Sequence, residues 1–217
     1  MHLEWSLALT GEMLTFGLLG KAFYTYPERP WVRALVDEDV FAEAPFAAEQ
    51  PDVIAALGLL QAWSQAHKNG ISDEAFDNLR ADYTRLFIGP GKVLTPPWES
   101  VQFSEERLTF QEQTLQVRGW YQRFGLAAEK LYAEPDDHIG LELEFVAQLA
   151  RLGLAALEEN DQTKFKQLLD GQRGFLSEHL LKWGPAWCSQ VADQAQTDFY
   201  RGIALLTRGA LAEISNQ

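Results

Sequence analysis

The sequence has little cysteine, no long apolar run and a shortage of bases near its start, and each lack excludes a class of protein. Its single cysteine, Cys188, excludes a disulfide framework and a cysteine-rich zinc module. No apolar run approaches the ~18 residues of a transmembrane helix, so none is predicted. The first basic residue is Lys21, and Glu4 and Glu12 interrupt the early apolar stretch, which is not the order of a signal peptide. We therefore expect a cytoplasmic protein.

Basic residues are scarce throughout: 18 Lys and Arg stand against 31 Asp and Glu, a net charge of −13. Nucleic acids and anionic membranes are bound through a basic footprint, which this composition does not supply. We expect no nucleic-acid partner and no integral membrane contact. A charge of this sign can attract a basic partner, or it can simply keep the protein soluble.

The 217 residues have a globular composition, with 47% hydrophobic and 12% aromatic residues, enough for a sizeable core. Apolar residues recur at helical spacing, as at Phe76, Leu79, Tyr83 and Leu86, and no alternation long enough for a sheet occurs. We predict an all-α helical bundle of roughly nine to eleven helices.

The predicted helices have recognisable ends. The first, over residues 3–23, is apolar on two faces, so we expect a central helix buried on both sides. Others are expected at 52–67, 72–88, about 104–124, about 138–157 and 161–181. Ser72 is expected to cap the helix over 72–88, Asp136 or Asp137 the helix over about 138–157, and Thr197 or Asp198 the last helix. Gly184-Pro185 is expected to close the helix over 161–181. The acidic stretch 37–52 is expected to be a loop or an irregular short helix.

The stretch 89–97 holds two glycines and three prolines and is predicted to be a hinge. It would divide a single domain, 1–217, into an N-terminal lobe over about 1–88 and a C-terminal lobe over about 98–217. A phosphate-binding loop at Gly91-Lys92 is excluded, because Leu86 stands where glycine is required and Val93 where Ser or Thr is required. No cofactor is predicted.

The densest polar cluster, residues 134–144, holds five carboxylates and one imidazole and no base. Its acids could cap a helix, form an acidic surface for a partner, or, with His138 and Glu142 four residues apart, bind a metal or act in acid–base catalysis. Trp98 follows two prolines and could anchor a peptide or fill a gap between the lobes. Cys188 lies in an apolar setting typical of a buried thiol rather than a nucleophile.

Three motifs resemble the TorD/DmsD family of cytoplasmic chaperones for molybdenum-containing reductases, and the Pro-Pro-Trp form is similar to its DmsD branch. They are Tyr83-Thr84-Arg85-Leu86-Phe87-Ile88-Gly89-Pro90, Pro96-Pro97-Trp98-Glu99-Ser100-Val101 and Glu134-Pro135-Asp136-Asp137-His138-Ile139-Gly140. They occur in the family's order and at similar intervals, and weaker similarities extend over nearly the whole chain.

The resemblance implies an all-helical chaperone without catalysis. It would bind the twin-arginine signal peptide and apoprotein of a molybdopterin-containing reductase precursor and delay export until the cofactor is inserted. It implies binding positions at Tyr24, Leu86, Phe87, Pro97, Trp98, Asp137 and His138, and the matched motifs add Tyr83, Ser100, Glu134 and Asp136. Asp137 and His138 are expected to receive the peptide's arginines, since a guanidinium pairs well with carboxylates.

Two other functional classes remain open at this point. One is a metal-dependent hydrolase built on His138 and Glu142, and the other is a helical adaptor with no role in export. Because family relatives exchange lobes through the hinge, we expect mainly monomer with a minor domain-swapped dimer.

Overall fold

The computed structural model describes residues 2–90, 93–128 and 134–216, so Gly91 and Lys92 of the predicted hinge lie outside the described residues. The described chain forms ten α-helices: α1 His2–Tyr24, α2 Arg29–Asp37, α3 Pro51–Ala66, α4 Asp73–Tyr83, α5 Glu99–Phe103, α6 Glu112–Arg123, α7 Ile139–Glu158, α8 Gln162–Phe175, α9 Leu181–Gln194 and α10 Asp198–Ile214. A π-helical turn at Thr84–Ile88 extends α4, and another at Leu176–Leu180 joins α8 to α9. Within these residues there is no β-strand beyond an isolated bridge, which confirms the all-α prediction.

The chain forms two compact units, and each is built from two separate stretches of sequence. Unit 1 comprises Met1–Tyr24 and Pro97–Gly184, and unit 2 comprises Thr25–Pro96 and Pro185–Gln217. The predicted lobes, 1–88 and 98–217, do not coincide with these units, although one boundary falls at the end of the predicted hinge. The reason is long-range packing: α1 packs on α7, and α10 packs on α3.

The core of unit 1 forms along α1 and α7, with α8 against α7. One face of α1 is buried through Leu9, Phe16, Leu19 and Phe23. The second apolar face is not buried as expected, because its leucines at positions 3, 7 and 14 are exposed. In unit 2, aromatic rings fill the space around α10, where Phe199 contacts the rings of Trp31, Phe41, Trp63 and Tyr200.

Local capping was predictable where the cap lies next to its helix. The Ser72 hydroxyl accepts from the N–H of Ala75 at the start of α4, and the Thr197 hydroxyl accepts from the N–H of Tyr200 at the start of α10. The turns over 38–50 agree with the predicted acidic loop.

Two helix predictions were wrong, and one helix was missed. The helix expected over 104–124 begins only at Glu112, with the short α5 before it and irregular backbone between. The predicted stop at Gly184-Pro185 lies inside α9, because buried Trp183, Trp187 and Cys188 anchor both sides of the proline. Helix α2, with Pro30 in its first turn, was not predicted.

A buried carboxyl in unit 1 makes a pH dependence of stability testable. Burial raises the pKa of Glu12 from 4.5 to about 7, against the opposing hydrogen bond from Gln172. The folded state favours the protonated form of Glu12. The stability that this carboxyl contributes is therefore fully present below pH ~4.5 and is lost as pH rises to ~7. Glu12→Gln should therefore match wild type at pH 4.5 and be more stable at pH 8 by up to about 3 kcal/mol, at about 1.36 kcal/mol per pKa unit. Urea unfolding from pH 4.5 to 8 measures this, and parallel stability curves for the two proteins would contradict it.

Candidate functional site

In unit 1, the segments that precede α5 and α7 run side by side. Trp98 and His138 form an antiparallel bridge. The N–H of Ile139 donates to the carbonyl of Pro97 at 2.8 Å, and the N–H of Glu99 donates to the carbonyl of Asp137 at 2.9 Å. Two of the three sequence motifs thus meet through their backbones, although nearly forty residues of chain separate them.

The buried Asp137 carboxylate links the turn before α7 to helices α5 and α6. It is fully buried, and its Oδ2 accepts from the backbone N–H of Ser100 at 2.7 Å, while its Oδ1 accepts from the Thr114 hydroxyl at 2.7 Å. The expectation that Asp136 or Asp137 caps α7 was wrong, because Asp137 instead supports the first turn of α5. With both oxygens engaged and no exposed surface, Asp137 offers no accessible oxygen to a peptide's arginine in this structure.

Asp136 is also buried and paired within the chain. Its Oδ2 accepts from Nε and Nη2 of Arg118 at 3.0 and 2.6 Å, and its backbone carbonyl accepts from the Tyr121 hydroxyl. Because Arg118 compensates its charge, Asp136 has a structural role in tying α6 to the turn before α7.

His138 is the residue that caps α7. Its Nδ1 accepts from the N–H of Gly140 at 3.0 Å, which places the proton of the neutral ring on Nε2. Burial lowers its pKa from 6.5 to about 3, so the ring is neutral at physiological pH. The His138 ring meets Tyr24 and Trp98 edge-to-face, with centroids 5.2 and 5.9 Å away.

The accessible part of this site consists of Tyr24, Trp98 and Glu134, which are half-buried; we call them the aromatic rim. The Trp98 indole N–H donates to Oε1 of Glu134 at 2.8 Å, so a carboxylate is held beside the indole edge. Tyr24 comes close because position 140 is glycine: a Cβ there would lie 2.7 Å from the Tyr24 Cβ. Aromatic faces beside a carboxylate are chemically suited to a guanidinium.

Sequence reasoning missed part of the buried polar network below this site. Nδ1 of His179 lies 2.8 Å from Oε2 of Glu99, and both side chains are buried. No sequence signal pairs residues 80 positions apart. Burial raises the pKa of Glu142 well above its usual range, and the charges of Glu99 and Asp137 raise it further, against a hydrogen bond from Trp183. Burial therefore favours the protonated form of Glu142.

The metal-site alternative finds no support in this geometry. His138 uses Nδ1 as a helix cap, and burial favours the protonated form of Glu142, whereas a metal ligand must be deprotonated. Across residues 2–90, 93–128 and 134–216, no group of three His, Cys, Asp or Glu side chains is placed to hold a metal ion. Cys188 is buried, as expected, and burial raises the pKa of its thiol, which disfavours the reactive thiolate.

The predicted residues of the first motif lie in unit 2. Tyr83, Leu86 and Phe87 are all buried there, on α4 and the π-helical turn that extends it. Of the predicted set, the structure therefore brings Tyr24, Pro97, Trp98, Ser100, Glu134, Asp136, Asp137 and His138 into unit 1. Ser100 contributes its buried backbone N–H, and Pro97 its carbonyl.

The site is thus a half-buried aromatic and acidic rim on an all-helical fold. A family model described as nitrate reductase delta subunit matches residues 47–189. The "Tat proofreading chaperone DmsD" of Salmonella typhi is 32% identical over 92% of this chain and 87% of its own length. The "Chaperone protein TorD" of Photobacterium profundum is 26% identical over 87% and 89%.

A crystal structure of a putative redox enzyme maturation protein from Archaeoglobus fulgidus has the same fold, with a TM-score of 0.51, 21% identity and 91% of each chain covered. The chain belongs to the TorD/DmsD family of the nitrate reductase delta subunit type. None of the helices in the described part of the chain has the length and apolar character needed to span a membrane.

Proposed function

We propose that this protein is a cytoplasmic chaperone that binds the twin-arginine signal peptide and the apoprotein of a molybdopterin-containing reductase. It holds the precursor back from export until the cofactor is inserted, and it has no catalytic activity and no cofactor of its own. Support comes from the family, whose Salmonella member is named for Tat proofreading.

The observation that carries this proposal is the aromatic rim of Tyr24, Trp98 and Glu134 around His138. A twin-arginine peptide is a basic pair followed by an apolar stretch. Glu134 supplies charge for a guanidinium, and the two aromatic side chains supply flat faces for stacking. The net charge of −13 favours encounter with such a basic peptide.

The remaining predicted residues have supporting roles in this proposal. Asp136 and Asp137 hold the backbone that presents Trp98, and Tyr83, Leu86 and Phe87 shape unit 2. A helical adaptor without an export role would bind without regard to the arginine pair, so the peptide itself discriminates between the two functions.

Calorimetric titration with signal peptides from the host's molybdoenzyme precursors tests the proposal. At least one should bind with micromolar or tighter affinity, and a twin-lysine version should bind more weakly because an ammonium cannot make the two-pronged contact. Absence of binding by every signal peptide, with the client apoproteins also inert, would remove the proposed function. Equal affinity for the twin-lysine peptide would favour the adaptor.

We propose further that the protein is mainly monomeric, with a minor dimer formed by exchange through residues 89–97. The partners α1 and α7, and likewise α3 and α10, lie on opposite sides of that stretch in the sequence. In an exchanged dimer, α1 of one chain would pack on α7 of the other, and α3 of one chain on α10 of the other.

A further inference from the structure

The segment that joins α5 to α6 in unit 1 exposes an unusual amount of apolar surface. Phe103, Leu108, Phe110 and Leu115 are 51, 47, 51 and 64% exposed. We call these four side chains the 103–115 patch. They lie within thirteen residues of chain, and α5 and α6, which carry the first and the last of them, pack against each other.

The backbone of this segment is held in a conformation that its own residues disfavour. Arg107 and Phe110 have φ of +55° and +58°, in the left-handed region that suits glycine or asparagine. An exposed phenylalanine at such a position stabilises neither the core nor the turn. Phe110 is therefore better explained by a partner that covers it than by folding.

Asp137 joins the patch to the aromatic rim. Its carboxylate accepts from Ser100 in α5 and from Thr114 in α6, so it fastens the segment at both ends. Trp98 immediately precedes α5 and belongs to the rim. Trp98 of the rim and Phe103 of the patch therefore lie at the two ends of the five-residue helix α5.

The charge around the patch indicates the chemistry of its occupant. Glu105, Glu106 and Glu112 are exposed there, against the single base Arg107. An apolar surface with an acidic border fits a segment that is both apolar and flanked by bases. Building on the proposed function, we infer that the 103–115 patch receives the apolar stretch of the twin-arginine signal peptide, while the aromatic rim receives its arginines.

The test uses a double variant, Phe103→Ser with Phe110→Asn, in the full chain. Asparagine tolerates the left-handed backbone, so the melting temperature should stay the same or rise. The probe is a synthetic signal peptide from a molybdoenzyme precursor of the host, and its affinity should fall at least tenfold. The control, Leu3→Ser with Leu7→Ser, removes two apolar side chains from α1 in the same unit that are even more exposed, at 71 and 66%, and it should leave affinity unchanged.

A second peptide separates the two halves of the proposed surface. When the leucines of its apolar stretch are replaced by serine, it should bind wild type and the double variant equally. If wild type binds the original peptide and the double variant binds it as tightly, this inference is wrong while the proposed function stands. If wild type binds no signal peptide, the inference is wrong, and if the client apoproteins are also inert, the proposed function fails as well. The alternative occupant of the patch is a second copy of this chain, and light scattering tests for it. If wild type is a dimer and the double variant is a monomer, the patch joins two copies and the inference is overturned.

Discussion

Phe87→Ala is expected to lower the free energy of unfolding by about 3–5 kcal/mol, the usual cost of emptying a core site of this size. Phe87 is 3% exposed and stacks on Trp187, with ring centroids 5.8 Å apart. The rings of Tyr83 and Tyr200 meet it edge-to-face at 5.1 and 5.7 Å. Alanine would remove three aromatic contacts at once and leave a cavity that the surrounding rings can fill only in part.

The neighbouring residue is a matched control. Ile88 follows Phe87 in the same π-helical turn but is 54% exposed, so Ile88→Ala should cost no more than about 1 kcal/mol. Urea unfolding measures both variants, and peptide titration at a temperature where each is folded measures binding. We expect Phe87→Ala to retain signal-peptide affinity in its folded fraction. Normal stability with a lost affinity would instead identify Phe87 as a client contact, as the family resemblance implies.

The class of fold and the local helix starts could be predicted from the sequence because their causes are local. Helical spacing is visible in any ten residues, and the caps at Ser72 and Thr197 act on an N–H three residues away. The break between α5 and α6 coincides with a contact that is distant in sequence. The Asp137 carboxylate accepts from Ser100 in the first turn of α5 and from Thr114 in the first turn of α6.

In the candidate site, too, some features could be predicted from the sequence and others depend on long-range packing. Trp98, Glu134 and His138 were found because their motifs resemble a family, and the structure does bring them together. Their roles could not be assigned from sequence, since a carboxylate in a polar cluster has the same sequence signature whether it is exposed or buried. The pairing of Glu99 with His179 depends on how α5 and the π-helical turn after α8 pack, which no local pattern encodes. The two discontinuous units also follow from such packing rather than from the glycine and proline content at 89–97.

Asp137→Ala should cost about 3–5 kcal/mol of stability, because it leaves two buried donors without an acceptor, each worth about 1–3 kcal/mol. The donors are the Ser100 N–H and the Thr114 hydroxyl, each 2.7 Å from the carboxylate. Asp137→Asn is the informative companion. Its side-chain oxygen can accept from Ser100, and its amide can donate to the Thr114 hydroxyl, which rotates to accept. Most of the stability should therefore return in Asp137→Asn.

The same pair of variants decides whether Asp137 touches the client. Since both of its oxygens are buried and engaged, Asp137→Asn should keep the preference for a twin-arginine over a twin-lysine peptide. Glu134→Gln removes a carboxylate of the half-buried rim and should reduce that preference, on the order of tenfold for one charge-assisted hydrogen bond. Calorimetry with the two peptides at low and high salt measures this preference. Added salt should reduce the preference of wild type, which has the Glu134 carboxylate, more than that of Glu134→Gln. If Asp137→Asn stays stable but abolishes the preference, the carboxylate must leave its buried position when the peptide binds, and the rim alone does not receive the arginines.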